Sequence, residues 1–271
     1  MKLSTVKQGI NVLARHPKVY FGQVQYLFIL SHMRSYSSLL AHILGSHSQI
    51  VGHIERLCSY TDARDLMRFR HHSFVQHGRI PNPYLLDKIL HNRFVLADDI
   101  INRDDVKLIV LLREPEPTIK SIINMMHVVP PEKDALSHQN PMWALDHYTS
   151  RLAYLEACIK RTQSPVLFLD AKDIIQHTEI VLMTLARWLQ LETDLNRQYR
   201  VFPETGVPGK GDPSDVIKTG SVLTSETDRY DRIEVPEDML DRARAGYVRS
   251  RDILRQHCDT VDLTSHEPAY Q

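Results

Sequence analysis

Apolar positions along the chain occur as short continuous runs, which alternate with longer stretches where apolar residues recur on a helical period. The runs predict strands at Tyr26–Leu30, Tyr84–Ile89, Lys107–Leu112 and Val166–Leu169. The periodic stretches predict helices near Ser37–Ser46, Asp62–Gln76, Pro115–Met126, Met142–Arg161 and Thr178–Leu191. This alternation predicts an α/β fold of three layers, with a mainly parallel central sheet and helices on both of its faces.

The rest of the chain fits one domain. Residues 236–257 carry alternating charges on a helical period, which predicts a solvated outer helix. We find no internal repeat, low-complexity tract or linker, so the sequence predicts a single domain over residues 1–271. Ligands of open parallel sheets bind beyond the carboxyl ends of the strands. Arg34 and Arg113 both follow predicted strands, so we expect an anion site at that edge.

The segment between the first predicted strand and the first predicted helix is typical of a phosphate-binding loop. It reads Arg34-Ser35-Tyr36-Ser37-Ser38. The first N–H groups of a helix have no partner within it, so with the helix dipole and the serine hydroxyls they can bind an anion. The loop lacks the G-x-x-x-x-G-K-S/T pattern of nucleoside triphosphatases, and Arg34 supplies the charge instead. An ordinary N-cap is the alternative interpretation.

A second candidate anion site follows the third predicted strand. Arg113 ends the apolar run, and Ser121 lies eight positions later in the next predicted helix. A strand end and the second turn of the following helix can converge on one phosphate, to which arginine offers a planar fork of donors and serine a hydroxyl. The alternative is an arginine that merely caps the edge of the sheet.

A third segment lies far along the chain. Residues 206–214 contain three glycines and two prolines, which predicts a loop. Lys210 lies between Gly209 and Gly211, so this loop would add an ammonium group and backbone donors. Such a segment, taken alone, is also typical of a plain surface turn.

These three segments, in this order, resemble the sulfotransferases that use 3′-phosphoadenosine 5′-phosphosulfate (PAPS). That family has a first motif of approximately R-S-G-T-T-L-L after a strand, an R-D-P motif with a serine eight positions after the arginine, and a Lys-Gly loop over the adenosine 3′-phosphate. The resemblance spans residues 27–220 and implies a P-loop-like sulfotransferase fold. It also implies transfer of a sulfuryl group from PAPS to a hydroxyl or amine, without a metal ion.

The resemblance also implies which residues bind PAPS. They are Arg34, Ser35, Tyr36, Ser37, Ser38, Arg113, Ser121, Gly209, Lys210 and Gly211. Arg34 and the hydroxyls of Ser37 and Ser38 would hold the 5′-phosphosulfate, and the later residues would hold the 3′-phosphate. Tyr36 departs from the family, which usually has glycine there, a residue suited to positive φ. Either this loop stays in an ordinary backbone region or its grip on the phosphosulfate is altered.

Four residues are candidates for the chemistry: Arg34, Glu55, Lys88 and His91. Arg34 would compensate charge on the reacting group together with Lys88 and the helix start. Lys88 ends a predicted strand at a place where the family keeps a lysine, and its ammonium group would stabilise the leaving oxygen; a lysine that merely flanks a strand is the alternative. Glu55 resembles the glutamate of the tyrosyl-protein and carbohydrate branch, and His91 resembles the histidine base of the cytosolic small-molecule branch. We favour Glu55 as general base because it keeps its register from the first motif. A surface ion pair of Glu55 with Arg56 or Arg64 is the alternative.

The composition argues against several other classes of protein. Lys+Arg and Asp+Glu are equal at 33 each, so no overall charge favours a nucleic acid or an anionic membrane as partner. No apolar stretch reaches membrane-spanning length, and the start of the chain lacks the apolar core of a signal peptide. The three cysteines are widely spaced, which indicates reduced thiols. We therefore expect a cytoplasmic enzyme.

The 15 histidines do not predict a metal centre, because no H-E-x-x-H motif occurs. The basic stretch with His71, His72 and His77 is typical of a wet surface. The polar stretch His127–Asn140 predicts a mobile lid over the acceptor. The acceptor itself is open: a small molecule such as a natural-product alcohol, a carbohydrate, a lipid or a peptide all fit. A P-loop kinase and a non-catalytic nucleotide-binding protein are the alternative functions.

Overall fold

The computed structural model describes residues 12, 15–78, 83–128, 141–207, 211–212, 214–223, 230 and 232–264. Two sets of predictions therefore lie outside the described residues. These are the lid beyond residue 128 and the roles of Gly209 and Lys210.

One parallel sheet of six strands lies at the centre of the described part of the chain. Its strands are β1 (Gln25–Ser31), β2 (Ile50–Val51), β3 (Tyr84–Ile89), β4 (Val106–Leu112), β5 (Val166–Asp170) and β6 (Asp259–Thr260). They lie in the order β2-β3-β1-β4-β5-β6. The four predicted strands are confirmed as β1, β3, β4 and β5. The sequence does not predict β2 and β6, because two residues are too few to form an apolar run.

Nine α-helices lie among the described residues. They are α1 (Lys18–Phe21), α2 (Ser37–Ser46), α3 (Ala63–His77), α4 (Asp98–Ile101), α5 (Pro115–Val128), α6 (Pro141–Arg161), α7 (Asp173–Gln176), α8 (Thr178–Trp188) and α9 (Glu237–His257). A short 3₁₀ helix covers Asp215–Thr219. The five predicted helices between the strands are confirmed as α2, α3, α5, α6 and α8.

Local signals set the ends of α3. The side chain of Asp62 accepts hydrogen bonds from the backbone N–H groups of Arg64 and Asp65, so it caps the start of the helix. At the other end, Gly78 has a φ of 65°, in the left-handed region that glycine adopts without strain. Asp62 and Gly78 therefore define the two ends of this helix.

Side chains of β1 alternate between two apolar layers, as a strand with both faces covered requires. Phe28 and Leu30 pack in the layer that contains buried residues of α3, α5, α6 and α9. Leu27 and Ile29 pack in the layer that contains buried residues of α2 and α8. The predicted arrangement of three layers is confirmed.

Helix α9 differs from its prediction. It lies on the outside of the layer, but Leu240, Ala243 and Leu254 are buried against the core, so only its opposite face is solvated. Within the described ranges, no helix has both the length and the apolar character needed to cross a lipid bilayer.

The order of the strands places a crevice beside β1. This strand pairs with β3 on one side and with β4 on the other, and Ile29 lies opposite both Lys88 and Ile109. Strands β2 and β3 lie on one side of β1, and β4, β5 and β6 lie on the other, so the order in which strands are added reverses at β1. In doubly wound sheets, ligands bind beyond the carboxyl ends of the strands at such a reversal. The segments that follow β1, β3 and β4 therefore meet at the edge where the sequence predicts an anion site.

Candidate functional site

The loop between β1 and α2 has an unusual backbone. Arg34 has a φ of 64° and Tyr36 a φ of 62°, both in the left-handed region. The alternative in which Tyr36 stays in an ordinary backbone region is therefore wrong. A side chain with a Cβ costs about 1–2 kcal/mol in this region, and such strain is concentrated at functional sites. The tyrosine ring is held by Arg113, whose guanidinium carbon lies 4.2 Å from the ring centroid.

The serines of this loop have different surroundings. Ser35 is fully buried, and its hydroxyl shares a hydrogen bond of 2.6 Å with that of Ser31 at the end of β1. Its side chain therefore supports the loop from inside. Ser37 and Ser38 begin α2, whose N-cap residue, Tyr36, provides no capping hydrogen bond from its side chain. The helix start is thus left with N–H groups that are suited to an anion.

Lys88 lies beside this helix start. It is a buried residue of β3, and its Nζ is 3.1 Å from the hydroxyl of Ser38. Burial lowers the pKa of Lys88, while the carboxylates of Glu55, Asp87 and Asp212 act in the opposite direction. A buried ammonium group among carboxylates is a strong local charge for an anionic ligand.

Gly211 lets the backbone approach this group closely. Its φ is 129°, and a Cβ atom at this position would lie 3.2 Å from the hydroxyl of Ser38 and 3.9 Å from Nζ of Lys88. A larger residue would therefore crowd the space in front of the helix start. The structure brings the predicted residue Gly211 together with Ser38 and Lys88, although they are distant in sequence.

Arg34 lies on the other side of the loop. Its Nε donates to the hydroxyl of Ser121 at 2.8 Å, and its Nη1 contacts a carboxylate oxygen of Asp212 at 3.2 Å. Arg113 donates from Nη1 to the backbone carbonyl of Arg34 at 3.1 Å. Arg34, Arg113 and Ser121 therefore form one cluster. Arg34 is predicted to bind the 5′-phosphosulfate, but its side chain contacts Ser121, which is predicted to bind the 3′-phosphate.

Sequence reasoning missed Asp212, which carries the negative charge of this cluster. Burial alone would raise the pKa of its carboxyl group, but Arg34 and hydrogen bonds from Ser214 outweigh burial, so the pKa lies below its ordinary value. Asp212 is therefore ionised at neutral pH. The carboxylate of Asp212 therefore pairs with Arg34 in the cluster that the sequence predicts to bind phosphate.

The two candidate bases lie side by side. An oxygen of Glu55 is 3.7 Å from Nε2 of His91, which is longer than a hydrogen bond. The other oxygen, Oε1, is buried and has no hydrogen-bond partner among the described residues. Burial raises the pKa of Glu55 to about 7, although Lys88 opposes the rise. Burial, with help from Arg93 and Arg151, lowers the pKa of His91 to about 4, so His91 is neutral at pH 7.

The alternative role of Glu55 as a surface ion pair is wrong. Its side chain is 10% exposed, whereas the predicted partner Arg64 is 83% exposed and pairs with Asp62 at 2.6 Å. A buried carboxyl group with a pKa near 7 exchanges its proton readily at neutral pH. Such groups are characteristic of general acid–base sites.

Asp87 is a second carboxylate that sequence reasoning missed. It is fully buried in β3, and it accepts hydrogen bonds from the hydroxyl of Tyr60 at 2.5 Å and from the backbone N–H of Arg56 at 3.0 Å. Burial raises its pKa to about 6. Because Arg56 follows Glu55, Asp87 fixes the backbone beside the candidate base.

The histidine-rich stretch is less exposed than predicted. Arg70 is buried and donates to the hydroxyl of Tyr26 at 2.7 Å, and His71 shares a hydrogen bond of 2.6 Å with the hydroxyl of Tyr20. The prediction of a wet surface is therefore wrong for this face of α3. Within the described residues, no group of three or more His, Cys, Asp or Glu side chains is arranged to hold a metal ion.

The fold and the site together define a doubly wound α/β protein with basic groups gathered at its topological reversal. Comparison with family models finds no match, and no curated protein matches the chain significantly. The geometry of the site, with the motif resemblance, therefore carries the argument for function.

Proposed function

We propose that this chain is a sulfotransferase that moves a sulfuryl group from PAPS to a hydroxyl or amine of an acceptor. The observation that carries the proposal is the convergence of Arg34, Lys88 and Arg113 around the start of α2, beside the buried carboxyl group of Glu55. This arrangement supplies charge for a nucleotide with two anionic groups and a proton acceptor at one edge of the sheet.

The proposed donor site has two parts. Lys88, Ser38 and the N–H groups of the helix start would hold the 5′-phosphosulfate, and Gly211 leaves the room for it. Arg113 and Ser121, with Arg34 between them, would hold the 3′-phosphate. The fit requires Asp212 to leave Arg34, because carboxylate and phosphate compete for the same guanidinium group.

The proposed reaction is an in-line displacement at sulfur. The acceptor oxygen or nitrogen forms a bond to sulfur, while the bond from sulfur to the bridging phosphate oxygen breaks and adenosine 3′,5′-bisphosphate leaves. Glu55, whose carboxyl pKa burial raises to about 7, takes the proton of the acceptor. The ammonium group of Lys88 stabilises the charge that develops on the departing oxygen.

Two alternative functions compete with this proposal. A P-loop kinase would require a Gly-Lys-Ser/Thr loop and ligands for Mg²⁺, which the loop from Arg34 to Ser38 does not contain. A non-catalytic nucleotide-binding protein has no need of a buried carboxyl group poised near neutral pH, so Glu55 favours an enzyme. The acceptor stays open among small molecules, carbohydrates, lipids and peptides.

Radiolabelled PAPS tests the proposal directly. The protein is incubated with ³⁵S-labelled PAPS and a panel of phenols, monosaccharides and glycolipids, with and without excess chelator. We expect label transfer to at least one acceptor class with equal release of adenosine 3′,5′-bisphosphate, in the presence of chelator as in its absence. Phosphate transfer from ATP that requires Mg²⁺, without PAPS turnover, would favour the kinase instead.

A further inference from the structure

One helix holds the carboxyl ends of three neighbouring strands. Tyr148 and Arg151 lie three positions apart on α6, so they project from the same face of the helix. Both side chains are fully buried. Neither residue takes part in the proposed reaction, and sequence reasoning singled out neither of them.

Arg151 joins the ends of β1 and β3. Its Nε donates to the carbonyl of Ser31 at 2.7 Å, and its two other nitrogens donate to the carbonyls of Ile89 and, at 3.4 Å, of His91. Burial lowers the pKa of Arg151 to about 10, so the guanidinium group is still charged at neutral pH. Its guanidinium carbon also lies 4.4 Å from the centroid of the Tyr154 ring. A buried cation is costly unless such partners compensate its lost hydration.

Tyr148 holds the end of β4. Its hydroxyl donates to the carbonyl of Arg113 at 2.8 Å, and its ring packs edge-on against His32 at a centroid distance of 4.7 Å. Nε2 of His32 accepts from the N–H of Arg113 at 3.0 Å, and its Nδ1 donates to the carbonyl of Met33 at 2.9 Å. The backbone of Arg113 is thus held at both its N–H and its carbonyl group.

These contacts link the functional residues through the backbone. Ser31 leads into the loop of Arg34, and its hydroxyl also bonds Ser35 and the carbonyl of Leu111 in β4. Ile89 follows Lys88 directly. The positions of the nucleotide loop, the lysine and Arg113 therefore depend on one helical face.

We propose that Tyr148 and Arg151 are positioning residues, through which α6 fixes the distance between the nucleotide-binding arginines and the segment that carries Lys88 and His91. This inference rests on the proposed function. Tyr148 acts on nucleotide affinity through Arg113. Arg151 acts on turnover because it joins the end of β1, which leads into the nucleotide loop, to the segment that carries Lys88 and His91.

Tyr148→Phe tests the first part, with Tyr84→Phe as a matched control. The Tyr84 hydroxyl also donates to a backbone carbonyl, that of Leu189 at 2.7 Å, and it is also buried, but it lies at the opposite end of β3. Each variant loses one hydrogen bond from the hydroxyl of a buried tyrosine to a backbone carbonyl. We expect Tyr148→Phe to weaken binding of adenosine 3′,5′-bisphosphate about fivefold, and Tyr84→Phe to leave the affinity unchanged. Equal affinities in the two variants would overturn the role of Tyr148.

Arg151→Lys tests the second part. Lysine keeps the charge but cannot span three carbonyl groups as the planar guanidinium does. We expect kcat to fall about tenfold, with a smaller change in nucleotide affinity and a cooperative thermal transition. Unchanged kcat in the folded variant would overturn the role of Arg151. If Arg151→Lys fails to fold, the proposal is decided by Tyr148→Phe.

Hydrogen exchange separates this inference from the proposed function. If the wild-type chain does not bind adenosine 3′,5′-bisphosphate, the proposed function fails, and affinity is no longer the readout. The amide of Arg113, which donates to His32, should still exchange faster in Tyr148→Phe than in Tyr84→Phe. Equal exchange rates in the two variants would contradict the positioning role, whatever the protein binds.

Discussion

The two halves of the candidate site use charge differently. In the nucleotide half, which comprises Arg34, Arg113, Ser121 and Asp212, the Arg34 and Asp212 side chains are 18% and 25% exposed and pair with each other. Water still reaches these groups, and the carboxylate balances the arginine. Such charges can exchange partners, which is what binding and release of a phosphorylated ligand require.

In the base half, which comprises Glu55, Asp87, Lys88 and His91, the charged groups are withdrawn from water. Asp87 is 1% and Lys88 2% exposed, and the side chain of Glu55 is 10% exposed. Burial disfavours each charged form, so it moves the pKa values of Glu55 and Asp87 upward and those of Lys88 and His91 downward. The difference suits the first half to binding an anion and the second to exchanging a proton, as the proposed function requires.

Removal of the carboxyl group of Glu55 should have the largest effect. Glu55→Gln keeps the shape of the side chain but cannot accept the acceptor proton, so we expect kcat to fall by about 10²- to 10⁴-fold. Affinity for adenosine 3′,5′-bisphosphate should be retained, because Glu55 is not among the groups that are proposed to contact the nucleotide. Steady-state turnover and a separate binding titration measure the two quantities.

His91→Ala is the control for this variant. His91 is neutral at pH 7 and lies 3.7 Å from Glu55, so its loss should reduce kcat less than the loss of the carboxyl group. Near-normal kcat in Glu55→Gln together with a collapse in His91→Ala would transfer the role of base to His91.

Arg113→Ala should affect the nucleotide half alone. We expect the affinity for adenosine 3′,5′-bisphosphate to fall by about 2 to 5 kcal/mol, because the 3′-phosphate would lose a partly desolvated partner. The matched control is Arg244→Ala, an exposed arginine of α9 that pairs with Glu237. Calorimetric titration compares the two variants with the wild type, and an equal loss in both would argue against a phosphate site at Arg113.

The pH dependence of stability separates the halves further. The pKa of Glu55 is raised from 4.5 to about 7, so the folded chain holds this proton more tightly than the unfolded chain does. The stability that this group contributes is therefore present below pH 4.5 and is lost as the pH rises towards 7. The glutamine of Glu55→Gln does not ionise, so this variant does not lose stability as the pH rises. We therefore expect its free energy of unfolding at pH 8 to exceed that of the wild type by up to about 3 kcal/mol.

Denaturant unfolding at pH 8 and at pH 5 measures this effect. The advantage of Glu55→Gln should shrink at pH 5, where the wild-type carboxyl group is largely protonated in the folded state. A variant less stable than the wild type at pH 8 would contradict a raised pKa at Glu55. The kcat of the wild type should in turn fall as the pH drops through about 7, because the base must be ionised.

The smallest expected effect is a gain of affinity. Asp212→Asn removes the carboxylate that competes for Arg34, so we expect adenosine 3′,5′-bisphosphate to bind about fivefold more tightly, or by about 1 kcal/mol. Asp215→Asn is the control, since this carboxylate pairs with Lys218 on the exposed 3₁₀ helix. Weaker binding in Asp212→Asn would show that Asp212 orients Arg34 for the ligand instead of competing with it.

The sequence predicts the fold well because buried parallel strands appear as continuous apolar runs. The residues of β1 and β4 show this clearly, and the four predicted strands all occur. It predicts neither β2 nor β6, which pair over only two residues each. The left-handed backbone of Tyr36 is also not readable, because tyrosine is not a residue that favours positive φ.

The candidate site also contains residues that a local sequence pattern predicts and residues that it does not. Arg113 and Ser121 are predictable since their spacing follows from one strand end and one helix turn, and Arg34 is predictable because it follows the first apolar run. Arg151 is not predictable, because an arginine on an amphipathic helix is usually a surface residue, and its partner Ser31 lies 120 positions away. Asp212 likewise lies 178 positions from Arg34, and its role emerges only when the loops meet at the edge of the sheet.

The central claim is that this edge of the sheet recognises a 3′-phosphorylated nucleotide. Calorimetric titration of the wild-type chain with adenosine 3′,5′-bisphosphate and with adenosine 5′-monophosphate, both in the presence of chelator, tests it most directly. The two ligands differ only in the 3′-phosphate, which Arg113 and Ser121 are proposed to bind. We predict that the bisphosphate binds at least about 30-fold more tightly, equivalent to about 2 kcal/mol. Equal affinity for the two nucleotides would contradict the assignment of these residues and the account built on them.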